Sequence, residues 1–292
     1  PGVTDRMATL RQIRRRIKGV QNIRRITGAM RMVAQARLRR AQGQTLDARP
    51  YFDELARLAE DVASGVQDYS HPLWDHHDAP GRLLLVVTGD RGMCGAFNAN
   101  VIRRAARYVE ETEGDVQLIC LGPRGATALE RRGLNVVHAH PDYFRDLTHE
   151  HARLITRQIQ AVYESDAVGQ VDMLYNEFKS IIQQEIRVDR MLPVTVDDSG
   201  DDDERWDFLH EPSRTALLDE LLPRLLETEV WHAVMESNAA EQAARVTAME
   251  NATTNADEII DALILQRNRV RQAVITQEIS EIIGGAEALK TS

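Results

Sequence analysis

The stretch VTAMENATTNADEIIDALILQRNRVRQAV, residues 246–274, decides the fold. Its Val246, Met249, Ala256, Ile260, Leu263, Val270 and Val274 fall on alternating steps of three and four residues, and Thr253 and Arg267 fill the two steps that are not apolar. A seven-residue repeat of this kind underwinds an α-helix into a left-handed supercoil against a partner helix. The stretch lies in a run of sixty residues, between Pro223 and Gly284, that contains neither glycine nor proline. Unbroken, such a helix would reach roughly 90 Å. A rod of that length suits reaching, bracing or transmitting better than enclosing a substrate.

The partner is found at the other end of the chain. Between Arg6 and Leu46 there are twelve Lys or Arg and no Asp or Glu. The apolar positions there read Leu10, Ile13, Ile17, Val20, then Ile23, Ile26, Met30, Val33. The step from Val20 to Ile23 is one short of the regular repeat, which predicts a stammer, a local overwinding of the coiled coil. The helix is expected to continue, with a bend near Pro50, towards Val62. From Glu229 to Asp261 the C-terminal helix carries seven acids and one base, Arg245. Complementary charge and facing apolar seams predict an antiparallel coiled coil of the two termini.

Between the ends the pattern changes. A turn-rich linker, Ser64 to Gly81, precedes short apolar runs alternating with helical stretches. Leu83–Thr88, Val116–Leu121, Val136–Ala139 and Val171–Phe178 read as strands, with Val194–Val196 as a candidate fifth. Helices fit Val101–Glu111, Ala126–Arg132 and Leu147–Tyr163. This alternation predicts an inserted Rossmann-like parallel α/β domain. The expected division is 1–63, N-terminal coiled-coil helix; 64–81, linker; 82–196, α/β domain; 197–212, acidic loop and foot segment; 213–292, C-terminal coiled-coil helix, with Ser213 as its N-cap.

Composition narrows the function classes. The hydrophobic fraction of 43% is enough for a core, while aromatics, at 5%, suit helices packed through Ala, Ile, Leu and Val. No apolar run has the length of a membrane span, and no cationic-then-apolar leader opens the sequence. A start at Pro1 suggests removal of an initiator methionine or of an organellar leader. Cys94 and Cys120 lie outside any CxxC pattern, which disfavours a disulfide scaffold or zinc site and fits a reducing compartment. A net charge of −9 argues against nucleic acid as the main partner. The basic N-terminal helix could track phosphates, but its apolar seam demands a helix partner and no recognition module is present.

Local chemistry is sparse. Gly89-Asp90-Arg91-Gly92-Met93-Cys94-Gly95 follows the first strand and precedes a helix, the setting of an anion cradle. It completes neither GxxxxGK[ST] nor GxGxxG, so the favoured reading is a tight turn whose glycines permit close packing. His76-His77, the pair His138 and His140, and the pair His149 and His151 have no completing ligands at metal spacing, and surface histidines are expected. There is no GxSxG, and Cys94 has no activating neighbour in sequence. No catalytic, cofactor-binding or metal residue is singled out, and no cofactor is expected.

Four segments go further. IKGVQNIRRITGAMRMV (17–33) with ARLRRAQ (36–42), EQAARVTAMENATTNA (241–256) with NRVRQAVITQEI (268–279), DRGMCGAFN (90–98) and WDFLHEP (206–212) closely resemble the gamma subunit of F-type ATP synthases. The resemblance spans essentially the whole chain in the family's order. It implies a non-catalytic central shaft whose paired terminal helices enter a hexamer of alpha and beta subunits. It further implies an α/β domain low on the stalk beside the epsilon subunit, and a foot on the membrane c ring. Rotation of that shaft would couple proton flow to conformational change at the catalytic sites.

By that resemblance Met30 matches a methionine facing the catalytic subunit's acidic lever loop, and Arg245, Arg271, Gln272, Thr276 and Glu278 match coupling positions on the opposed helix. Phe208 and Glu211 fall in the segment matching the c-ring contact. Gly28 stands where the family usually has lysine, Gly89 and Ala96 vary the central loop, and the cysteine-bearing chloroplast insertion is absent. The implied location is peripheral, through the complex, on the cytoplasmic face of a bacterial inner membrane or the matrix side of an organelle. The competing readings are a nucleotide-dependent α/β enzyme carrying a coiled coil, and a coiled-coil nucleic-acid binder.

Overall fold

The computed structural model describes residues 3–64, 66, 69–144, 148–195 and 213–290, with side chains described between residues 10 and 283 of that range. The chain divides into two compact units, Pro1–Val33 with Ala248–Ser292, and Ala34–Thr247. Helix α1 (Val3–Ser64) and helix α5 (Arg214–Lys290) each lend a segment to both.

In the first unit the two helices run antiparallel. Ile13 and Ile17 pack on Leu263, with Val20, Ile264 and Val270 around them. Further along, Arg24 Nε pairs with Asp257 at 2.9 Å, Thr27 meets Thr253, and Arg31 Nη1 pairs with Glu250 at 3.2 Å. The seam on α1 is therefore Ile13, Ile17, Val20, Arg24, Thr27 and Arg31, in regular steps of four and three. This corrects the expected stammer: Ile23, Ile26 and Val33 are more than half exposed. Regular heptad geometry prevails because the interface turns polar for two turns, and ion pairs and a hydroxyl contact fill positions that apolar residues vacate. On α5 the expected seam is present, with Met249, Ala256, Ile260, Leu263 and Val274 buried.

In the second unit a five-stranded sheet has the order β3-β2-β1-β4-β5. Strands β1 (Arg82–Val87), β2 (Val116–Leu121), β3 (Val136–His140) and β4 (Gln170–Phe178) are parallel. Strand β5 (Gln184–Leu192) returns antiparallel to β4 as a hairpin. The fifth strand is thus not Val194–Val196: of that span, residues 194 and 195 are irregular and 196 lies outside the described residues. β1 and β2 are near-continuous Leu, Val and Ile because both faces are covered.

One face packs on helix α4 (His149–Glu164), on Leu55, Ala59 and Val62 of α1, and on Leu218 to Val234 of α5. The other is covered by helix α2 (Phe97–Glu111) and helix α3 (Pro123–Glu130), through Val101, Ala105, Ala126 and Leu129. Ala34 and Leu38 of α1 meet Ala243 and Val246 of α5, and Arg49, later on α1, pairs with Glu236, earlier on α5, so the helices run antiparallel in this unit too. The α5 start is capped as expected: Ser213 Oγ accepts the Ala216 N–H at 3.1 Å. α1 runs through Pro50 without interruption.

Candidate functional site

In a doubly wound sheet, ligands enter the crevice beyond the carboxyl ends of the strands, where the strand order reverses. Here that point lies between β1 and β4, which are neighbours with connections leaving in opposite directions. The crevice is filled by α5 itself. The Asn176 N–H donates to Ser237 Oγ at 3.0 Å, and the Phe178 N–H donates to Glu236 Oε2 at 2.9 Å. A methyl group at Gly89, just past β1, would stand 2.6 Å from Glu241 Oε1. Three side chains of one helix therefore occupy the place where a nucleotide would approach the backbone.

In the stretch Glu236–Arg245 the polar Glu236 and Ser237 bind strand-end backbone groups, while Ala243 packs on Ala34 and Leu38 of α1. Glu236 is 1% exposed and also receives Arg49 Nη2 at 3.3 Å and His232 Nε2 at 3.5 Å. Burial alone would raise its pKa, but hydrogen bonds from His232, the Phe178 N–H and Arg49 outweigh it and hold the carboxyl below its ordinary value. Five residues on, Glu241 pairs with Arg245 Nη2 at 2.6 Å. Burial pushes the Glu241 carboxyl up, and Arg245 opposes that shift.

Beside this clamp is a cleft of about 500 Å³, lined among others by Arg37 and Arg40 of α1, Asp90, Arg91 and Gln242. Burial raises the Asp90 carboxyl, against the N–H of Phe144, which donates to Oδ2 at 2.9 Å. The glycine loop is held by Asn98: its Oδ1 accepts the Gly89 N–H at 2.8 Å and its Nδ2 donates to the Arg91 carbonyl at 3.2 Å. Of the loop's glycines, Gly89 permits close packing, against Glu241 of α5, whereas a methyl group at Gly92 would meet only Arg124 of α3 at 3.7 Å.

The predicted residues fall in separate places. Met30 is half-buried in the first unit, one residue before the Arg31–Glu250 pair. In that unit Arg271, Gln272 and Thr276 are exposed and Glu278 is half-buried. Arg271 lies twenty-one residues beyond Glu250 on α5, so the pairing puts it roughly 30 Å along the helix pair from Met30. Arg245 is buried in the second unit. Phe208 and Glu211 lie outside the described residues. The histidines act singly: His77 with Asp166 at 2.6 Å, His140 with Gln158 at 2.8 Å, His149 with Glu227 at 2.8 Å. Among the described residues no His, Cys, Asp or Glu cluster could hold a metal ion, and no helix is long and apolar enough to cross a membrane.

A family model described as ATP synthase matches residues 9–289. The ATP synthase gamma chain of Chlorobaculum tepidum is 42% identical over 291 residues, covering 97% of this chain and 100% of that one. The chain belongs to the ATP synthase gamma-chain family. The gamma chain of Geobacter sp. strain M21 is likewise 42% identical, over 287 residues, with 97% and 100% covered. In fold, a chain of the Euglena gracilis mitochondrial ATP synthase (OSCP/F1/c-ring, rotational state 3) superposes with a TM-score of 0.70 at 22% identity, covering 97% of this chain and 95% of that one. A rotor chain of the same enzyme gives 0.67 at 21% identity, with 92% and 99% covered.

Sequence reasoning missed the clamp residues Glu236, Ser237 and Glu241. The available signal was the run ESNAAEQAAR (236–245), whose polar residues interrupt an otherwise apolar helix face.

Proposed function

We propose that this chain is the central-stalk subunit of a rotary F-type ATP synthase. In that role it couples proton-driven rotation of a membrane c ring to conformational change at the catalytic sites of an alpha/beta hexamer, and makes no bond itself. The observation that carries this reading is the filled crevice: where a Rossmann-like sheet would take a nucleotide, α5 presents Glu236, Ser237 and Glu241. The α/β layer is thereby bound to a long helix, as a part that must turn with a shaft requires.

The partners of this reading are alpha, beta and epsilon subunits and the c ring, and the chain is peripheral on the cytoplasmic face of a bacterial inner membrane through that complex. Met30, Arg271, Gln272, Thr276 and Glu278 serve the interface with the catalytic subunits together with Arg245, and Phe208 and Glu211 the c ring. The expected division of labour assigns 1–63 and 213–292 to the shaft, 64–81 to a linker, 82–196 to the α/β domain and 197–212 to the foot. Each rotational step is a population shift, in which the shaft binds one arrangement of the hexamer better than the others.

The test is ATP-driven proton uptake in membrane vesicles assembled with and without the chain, beside nucleotide binding to the purified chain. Uptake that depends on the chain, with no nucleotide bound at micromolar concentration, is the expected result. Tight nucleotide binding or turnover by the purified chain would favour the enzyme reading instead.

A further inference from the structure

Arg245 is expected to serve the coupling interface with the catalytic subunits, yet its side chain is turned inward and is 11% exposed. Nη2 donates to Glu241 Oε1 at 2.6 Å and reaches the Gly92 carbonyl at 3.5 Å. That carbonyl precedes Met93, whose φ of +62 is a left-handed conformation that a residue with a side chain rarely adopts. A left-handed non-glycine residue relaxes unless its surroundings fix it. Arg245 holds the loop from the α5 side, while Asn98 holds it from α2 through Gly89, the Arg91 carbonyl and Cys94 Sγ. The side chains that this arrangement turns outward are Arg91, which is exposed, and Met93, 61% exposed.

We propose that Arg245 and Glu241 are positioning residues, which act together to fix the loop Gly89–Gly95 and so set how Arg91 and Met93 meet the catalytic subunits. Arg245 then influences coupling through the loop rather than by touching the partner. Glu241 orients the guanidinium: an unpaired arginine in this buried place would turn to solvent, and the loop would lose its anchor. Gly89 is required on the same account, because a side chain there would displace Glu241. The proposal rests on the coupling reading above, and its test separates the two.

The chain carries two thiols that report on it. Cys94 sits in the loop at 2% exposure, and Cys120 is fully buried in β2. Maleimide labelling of each is measured on the purified full chain, and proton uptake per ATP hydrolysed is measured on the assembled complex. Arg245→Gln and Glu241→Gln should each raise Cys94 labelling at least about tenfold, the size of effect that loss of one charge-assisted hydrogen bond has on a local opening equilibrium. Cys120 labelling should stay unchanged and coupling should fall. Arg245→Lys, which retains the ion pair, should restore protection and coupling together. Met93→Ala should lower coupling without exposing Cys94.

Lost coupling in Arg245→Gln with Cys94 still protected would overturn the proposal and leave the coupling reading standing. An exposed Cys94 with coupling intact would overturn it equally, since the loop's presentation would then be irrelevant. If Arg245→Gln exposes Cys120 as well, the isosteric Glu241→Gln decides by the same criteria. A complex that pumps equally well without the chain refutes the coupling reading instead, whatever the labelling shows.

Discussion

Thr27 and Thr253 meet hydroxyl to hydroxyl at 2.8 Å in the first unit, in the polar stretch of the seam between the Arg24–Asp257 and Arg31–Glu250 pairs. Thr253 Oγ1 also reaches the Met249 carbonyl at 2.7 Å, and Thr27 Oγ1 the Arg24 carbonyl at 3.1 Å. Two hydroxyl protons serve these three contacts, so at any moment one threonine donates across the seam while the other donates to the carbonyl of its own helix. The flanking ion pairs are about half exposed, so each contributes only about 0–1 kcal/mol.

Thr27→Val alone should destabilise the pair by about 1 kcal/mol, because it strands half of the Thr253 hydrogen bonding in a partly buried place. Thr27→Val with Thr253→Val should be neutral or stabilising, since two matched apolar groups replace two satisfied polar ones. A double-mutant cycle on urea midpoints checks this, and strict additivity of the two single effects would contradict it.

This polar stretch also explains how far the sequence could be read. The α5 seam was legible because its apolar residues keep the repeat through Val274. On α1 the apolar signal drifts: Ile23, Ile26 and Val33 keep helical spacing but lie off the seam, which runs through Arg24, Thr27 and Arg31. A hydrophobic pattern cannot follow an interface made of ion pairs. Strand β5 was missed for a related reason, because Glu185, Arg187, Asp189 and Arg190 hide the alternation of Ile186 and Val188 on an edge strand. Glu236 and Ser237 were illegible as clamps because the backbone N–H groups they accept, of Phe178 and Asn176, are remote in sequence, and Glu241 because the Gly89 it packs against is equally remote.

Gly19, Gly28 and Gly43 sit inside α1, and a methyl group added at any of them would meet nothing within 4 Å. No packing requirement holds them, so each lowers helix stability relative to alanine by about 0.5–1 kcal/mol. Replacing any one with Ala should raise the thermal midpoint. An unchanged or lowered midpoint for Gly28→Ala would mean that the helix needs its local compliance.

Gly122 is the opposite case. Its φ is +89, and a methyl group there would stand 2.2 Å from the Thr88 carbonyl oxygen. Thr88 cannot retreat, because its Oγ1 donates to the Leu121 carbonyl at 2.9 Å and accepts the Gly125 N–H at 3.0 Å. Gly122→Ala should cost about 2–4 kcal/mol from strain and overpacking together. Urea unfolding of the full chain measures it, and a cost below about 0.5 kcal/mol would be inconsistent with this geometry.

Met30 lies on a helix crowded with Arg24, Arg25 and Arg31. Met30→Lys would replace a flexible thioether with another cation where, on the coupling reading, surfaces must slide. Extra attraction to acidic groups of a partner in only some rotational positions deepens those wells by about 1 kcal/mol. Assembly and nucleotide hydrolysis should survive while protons taken up per ATP fall. Unchanged coupling in vesicles would remove Met30 from the interface.

Glu229 offers a pH test of the second unit. Burial, reinforced by the negative charge of Asp189, pushes its pKa up to about 8, against an ordinary value of 4.5. The folded chain therefore holds this proton more tightly than the unfolded one. For a carboxyl shifted upward, stability is full below the unfolded pKa, falls as pH rises towards the folded pKa, and is flat above it. Glu229→Gln removes the titration while keeping the shape of the side chain. The variant should match the parent near pH 4.5 and exceed it progressively up to pH 8, by at least about 1 kcal/mol at the top of that window. Urea midpoints at pH 4.5, 6.5 and 8 measure the difference. A gain that is constant with pH would assign the effect to packing, and a gain that shrinks as pH rises would require a depressed carboxyl, contrary to its burial and the neighbouring Asp189.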